Sequence, residues 1–234
     1  MRQALRICRK EFQAYFLSPI AYIVIAIFLL VTGWFFFSTF FLLNQASLRN
    51  FFGLLPTVLA FVTPAVTMRL FAEELSIGSY ETLLTLPVTD HDVIAGKFLA
   101  SSAFIAAMLV PTLAYPVTVS LLGSLDWGPV AGGYLGALLL GAAFSAIGLL
   151  ASALTRNQIV AFIVGMAICF GLTLVDQMLF FVPRALLGTL TYLAVDVHFQ
   201  NIAKGVLDTR DIVYFLSLCF IGLYGTSLVL KAKH

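Results

Sequence analysis

Charge is scarce in this chain. Only 10% of its 234 residues are Asp, Glu, Lys or Arg, where a soluble chain carries about 25%. Hydrophobic residues make up 61%, and mean hydropathy is +1.04. Water cannot solvate a surface with so few charges, so lipid is the solvent for most of the chain. The net charge of +2 is too small to hold nucleic acid. The basic start is followed by an apolar stretch far longer than the core of a secretory signal and by no small-residue cleavage site. No cleaved leader is therefore expected.

Catalytic groupings are missing as well. No G-x-x-x-x-G-K-[ST] loop occurs, so the chain is not expected to bind or hydrolyse ATP itself. There are three histidines, His91, His198 and His234. They fall on different loops and cannot meet in one membrane-embedded site. Ser145, in "GAAFSAIG", lacks both the G-x-S-x-G turn and a histidine to activate it, which excludes an intramembrane serine protease. No H-E-x-x-H and no paired intramembrane carboxylates occur. The three cysteines, Cys8, Cys169 and Cys219, have no metal-ligand spacing and read as small buried hydrophobes. No cofactor or metal is expected on this chain.

Long apolar runs are what remain. A membrane-spanning helix needs about 20 apolar residues, because its backbone groups must be satisfied within the segment. Six windows qualify: Pro19–Leu43, Phe51–Met68, Phe98–Leu122, Pro129–Leu154, Ile159–Phe181 and Ile212–Leu230. The second holds Pro56 and Pro64, each lacking a donor, and a kink is expected there. With the N-terminus in the cytoplasm, nine basic residues are inside: Arg2, Arg6, Arg9, Lys10, Arg69, Lys97, Arg156, Lys231 and Lys233. Four are outside: Arg49, Arg184, Lys204 and Arg210. Positive charge favours the inner side, so both termini are expected there. The fold class that follows is an all-α polytopic membrane protein, with residues 1–234 forming one transmembrane domain.

Three segments lie outside the spans. In residues 1–17, Leu5, Cys8, Phe12 and Phe16 recur at helical spacing, with Arg2, Arg6, Arg9 and Gln13 on the other side. That pattern predicts an amphipathic helix on the inner membrane surface, against the plainer reading of a basic flank. Ser18-Pro19 then caps the first span. Residues 69–97 form a polar island with Arg69, Glu73, Glu74 and Glu81. Arg69 to Leu75 can extend the second span, and Gly78 can end that extension in a left-handed turn. Tyr80, Leu83 and Leu84 share one face of a short helix stopped at Pro87, and Thr89 to Asp92 has the form of an N-cap opening the third span. An apolar face on a cytoplasmic loop suits docking on a partner or resting on the bilayer.

Arg69-Leu70-Phe71-Ala72-Glu73-Glu74, Gly78 and Glu81-Thr82-Leu83-Leu84-Thr85-Leu86-Pro87-Val88 together resemble the cytoplasmic loop of ABC-2-type permeases. The basic amphipathic start and the six spans resemble that family too. "YFLSPIAYIVI" (Tyr15–Ile25) and "FQNIAKGVLDTRDIVYFLSL" (Phe199–Leu218) resemble its gliding-motility branch, near the copper-site maturation permeases. The resemblance implies an elbow helix at residues 1–17 and a coupling helix in the island, seated on a separate ATPase. Implied docking residues are Glu73, Glu74, Tyr80, Glu81, Leu83, Leu84, Leu86 and Pro87, with Arg156 and Asn157 as a second cytoplasmic contact. It implies two ATPase copies, which bind the ATP and Mg, and a second permease copy or a different membrane subunit with a large periplasmic part. The implied setting is a bacterial inner membrane.

In the outer loop, residues 183–211, Leu186, Leu190, Leu193 and Val197 have helical spacing. A segment dipping into the outer leaflet is expected before the last span, as the resemblance also implies. Asp208 to Asp211 suits the N-cap of that span. Asp196, His198, Lys204 and Asp208 are candidates for partner or substrate contact, with interface solvation the competing reading. Asp176 is the one charge well inside a span. It reads either as an interfacial carboxylate near the outer end or as the working group of an ATP-independent carrier or channel. Aromatics from Trp34 to Phe37 and at Phe40 and Phe41 fit lipid contact, core or ligand path alike.

Overall fold

The computed structural model of the chain describes residues 2–43, 47–78, 89–178, 191–206 and 208–233. Every regular element among them is helical. Helix α1 (Arg2–Leu17) stops at Ser18, whose Oγ accepts from the Ile20 N–H at 3.3 Å and so opens α2 (Pro19–Leu43). Helix α3 (Arg49–Thr67) continues through Pro56 and Pro64. The two missing donors do not end it, as neighbouring helices hold spans together across such gaps. Met68, still right-handed, joins it to α4 (Arg69–Ile77), which ends at Gly78 with φ +77°. Only glycine takes that conformation without strain.

Thr89 opens α5 (Asp90–Leu109). Its Oγ1 accepts from the Asp92 N–H and donates to Asp92 Oδ2 at 2.9 Å, the reciprocal cap that Thr89 to Asp92 predicts. The helix therefore starts well before Phe98, where apolarity alone places the span. A 3₁₀ turn over Val110–Leu113 follows, since Pro111 brings no N–H, and α6 (Ala114–Leu122) completes the crossing. Then come α7 (Trp127–Leu154), α8 (Gln158–Met178), the short α9 (Val195–Ala203) and α10 (Thr209–Lys231). Asp208 caps α10 by accepting from the Arg210 N–H at 3.0 Å.

Six helical stretches are long and apolar enough to cross a membrane: Pro19–Phe40, Arg49–Ile77, Asp90–Leu122, Trp127–Leu154, Gln158–Asp176 and Thr209–Lys231. The chain is a multi-pass membrane protein of all-α class. An even number of crossings returns the end of α10 to the side where α2 begins. That end also holds α1, α4 and the start of α5.

Helix α7 is the hub, packed by α3, α4, α5, α8, α9 and α10. Its sequence explains this: Gly133, Ala137, Gly141, Ala143, Gly148 and Ala151 are small residues that let neighbours approach closely. A Cβ at Gly148 would fall on the Thr67 hydroxyl of α3. Lipid gives helices no hydrophobic reason to associate, so close packing of small residues must supply it. The first-span aromatics divide by position. Phe36 is buried and stacks on Tyr115 at 5.0 Å, whereas Trp34 faces outward.

Two faces differ from the periodic reading. Helix α1 packs on α5 through Ala4, Ile7 and Tyr15; of the expected stripe, Cys8, Phe12 and Phe16 also pack against the core, with the Phe16 ring 5.7 Å from that of Phe104, and only Leu5 points away. In α9 the buried stripe is Val195, His198, Phe199 and Ile202, laid on α7; of the expected outer-loop stripe, Leu193 is exposed and Val197 half-buried, and Leu186 and Leu190 lie outside the described residues. In both cases a protein neighbour, not the bilayer, selects the face.

Candidate functional site

The second span continues into α4 with no side chain of its own to cap α4's first turn. Ser152 of α7 supplies one from across the bundle. Its Oγ donates to the Met68 carbonyl at 2.7 Å and accepts the Phe71 and Ala72 N–H groups, each at 3.0 Å. Three backbone groups that the junction of α3 and α4 leaves over are thus paired by one hydroxyl. This fixes α4 as an arm that carries the second span onward to Gly78.

Lys97, on α5, holds the other side of the arm. It is 1% exposed. Its ammonium has three N–H groups and meets three acceptors: Glu74 Oε1 at 2.7 Å, the Leu70 carbonyl at 2.8 Å and Glu11 Oε1 at 3.2 Å. The Nζ also sits 5.2 Å from the centre of the Phe71 ring. Burying an ammonium is tolerated only when its charge is paired and every donor is used. One side chain thereby joins α1, α4 and α5.

Helix α1 comes close enough for this because residue 96 is glycine. A Cβ there would lie 2.8 Å from Ile7 Cβ and 2.9 Å from the Ala4 carbonyl. Tyr15 adds a second tie, donating from its hydroxyl to the Val66 carbonyl at 3.1 Å, with Arg69 4.8 Å above its ring. Burial pushes the Tyr15 hydroxyl well above its usual range, Arg69 opposes this, and Glu11 adds to it. Burial likewise raises the Cys8 thiol.

The predicted docking residues divide. Glu73 is exposed on the arm, and Glu74 turns inward to Lys97. Tyr80, Glu81, Leu83, Leu84, Leu86 and Pro87 lie outside the described residues. Arg156 and Asn157 are exposed in the turn between α7 and α8, at the same end as the arm. Asn157 Oδ1 accepts from the Ile159 N–H at 2.9 Å and so starts α8. Lys233 reaches this turn from the C-terminal side, donating to the Ala153 carbonyl at 2.7 Å.

At the opposite end, His198 is buried. Its Nδ1 meets Asp211 Oδ1 at 2.6 Å, its Nε2 faces the Tyr192 carbonyl at 3.1 Å, and its ring stacks on Tyr214 at 4.1 Å. This pair ties α9 to the start of α10. Asp208 serves as the α10 cap, and Lys204 is exposed after α9. Asp196 accepts from Gln200 at 2.7 Å. Burial raises the Asp196 carboxyl, the Gln200 bond opposes this, and the nearby Asp176 adds to it. Asp176 lies in the last turn of α8. No cluster of metal-ligating side chains occurs among the described residues.

Sequence reasoning counted Lys97 only as a mark of orientation and did not reach Ser152. Their partners are distant in the chain, Glu11 lying 86 positions from Lys97 and Phe71 81 from Ser152. The available signal was a lysine at the edge of the apolar run of α5 and a serine near the end of α7.

Comparison with curated protein sequences gives no significant match. A family model described as ABC-2 family transporter protein matches residues 5–219, nearly the whole chain, from α1 into the first half of α10. The chain belongs to the ABC-2 transporter family, as a membrane permease component.

Proposed function

We propose that this chain is the permease subunit that receives ATP-driven motion from a separate ATPase through the segment between α4 and α5. The Lys97 cluster carries the reading. A buried ammonium binds the elbow helix, the arm leading to the loop and the third span into one unit. A push on the loop then moves α1 and α5 together instead of bending α4 alone. Glu73 is exposed on that arm, and Arg156 and Asn157 are exposed at the same end as a second contact. Leu83, Leu84 and Leu86 supply the apolar face that docks. ATP and Mg belong to the ATPase, present in two copies.

The remaining parts follow the family resemblance. The membrane is a bacterial inner membrane with both termini cytoplasmic. The second half of the transporter is another copy of this chain or a different membrane subunit. "YFLSPIAYIVI" and "FQNIAKGVLDTRDIVYFLSL" favour the gliding-motility branch, where a membrane partner has a large periplasmic part. The work done is export or movement of such a partner.

Detergent co-purification tests the reading, with tagged wild type beside the double change Leu83→Asp and Leu84→Asp. Aspartate buried without a partner costs several kcal/mol, enough to break a docking contact. Wild type should recover an ATP-binding subunit, and the folded variant should lose it. Equal recovery by both would reject the docking face. Recovery of no ATP-binding subunit would reject the proposed coupling through this loop and favour ATP-independent operation.

A further inference from the structure

At the end of the bundle away from the docking arm, Arg49 and Lys204 face one mouth. Arg49 is the first residue of α3, and Lys204 follows α9. Both line two adjoining cavities of about 250 and 280 Å³. One runs over an apolar wall that includes Phe52, Pro129 and Val130. The other is the more polar of the two, with Asn50 and Gln200 beside the two cations. Among the described residues, neither Arg49 nor Lys204 is in an ion pair. Asp126 also lines the first cavity; its Oδ1 accepts from the Gly128 N–H at 3.1 Å, the cap of α7, and its carboxylate offsets one of the two cations.

Two cations against one carboxylate leave the mouth with an excess positive charge that a further anion would neutralise. The base of Lys204 cannot swing aside. Its backbone N–H bonds the Gln200 carbonyl at 3.0 Å, and the next residue, Gly205 at φ +85°, packs on Gly128 and Pro129. The depth of the mouth is also marked. Arg49 opens one crossing, and Trp127, 57% exposed, opens another. Tryptophan and arginine at the ends of apolar helices mark the level of lipid headgroups. A cationic half joined to an apolar half matches an amphiphile better than an acidic protein surface.

We propose that this mouth binds an anionic phospholipid of that leaflet, its phosphate between Arg49 and Lys204 and the first part of its chains against Phe52 and Val130. The site does not involve the docking arm, so its failure leaves the ATPase reading untouched.

The test uses the full chain in vesicles, with Trp34→Phe leaving Trp127 as the one tryptophan. Brominated phosphatidylglycerol or brominated phosphatidylcholine is mixed into phosphatidylcholine, and quenching of Trp127 is followed. Brominated phosphatidylglycerol should reach half-quenching at a roughly tenfold lower mole fraction, as two basic residues acting on one headgroup imply. Arg49→Gln with Lys204→Gln should abolish the preference. Arg49→Lys with Lys204→Arg should keep it. Arg210→Gln should also keep it, because Arg210 lines a separate cavity. Equal quenching by both lipids in wild type would overturn the proposal. So would an equal loss in Arg210→Gln, which would mean general surface charge. Removal of the preference by inorganic phosphate would assign the mouth to a free anion and overturn the lipid site. Capture of an acidic protein through the same two residues, without lipid preference, would do the same.

Discussion

Lys97 is charged and nearly sealed from solvent, so its carboxylate partners are obligatory. Glu11 and Glu74 are only 18% and 19% exposed, which leaves them poorly solvated if Lys97 is removed. Lys97→Met should therefore cost about 3–5 kcal/mol, measured as unfolding of the detergent-solubilised protein. Adding Glu11→Gln and Glu74→Gln should restore most of the loss, because no lone charge is then left buried. Ser152→Ala should cost about 1–3 kcal/mol, since the Met68 carbonyl and the Phe71 and Ala72 N–H groups lose their partner together. Asp196 gives a pH-dependent outcome. Its raised carboxyl favours the folded state below the ordinary carboxylate range, and that contribution is lost as pH rises through the raised value. Asp196→Asn, which can still accept from Gln200, should raise the unfolding temperature at neutral pH. The gain should vanish below about pH 4, where the carboxyl is protonated in both states.

The elements show which signals are local. Ser18, Thr89 and Asp208 cap the helices their sequences predict, and Gly78 ends the arm where a left-handed residue is needed. Each cap is set by atoms within a few residues, so short stretches of sequence carry it. Packing faces are not local. Cys8, Phe12 and Phe16 of the α1 stripe do pack against the core, but Gly96 gives α1 a protein neighbour, so Ala4, Ile7 and Tyr15 join the contact and Leu5 is left out of it. Gly96→Leu should push α1 off α5 at a cost of about 1–3 kcal/mol. The burial that raises the Cys8 thiol would be relieved at the same time. Cys8 should then alkylate faster than in wild type, because the thiolate is the reactive form. An unchanged rate would mean that α1 does not rely on Gly96.

At the scale of the whole molecule, the six crossings were legible because apolar length alone sets them, and because lipid leaves helices as the available backbone solution. The anchoring of the arm was not legible. Lys97 reaches Glu11 and Glu74, 86 and 23 positions away, and no spacing rule connects three helices. That anchoring joins α1, the arm and the third span into one unit, which under the proposed function takes a push from the ATPase. The most direct test is photocrosslinking from position 73, exposed on the arm, with position 216, exposed on α10, as the control. The account predicts that a benzoylphenylalanine at 73 forms an adduct with an ATP-binding subunit and that one at 216 does not. The absence of that adduct at 73 in a complex that still co-purifies, or equal adducts at both positions, would contradict it.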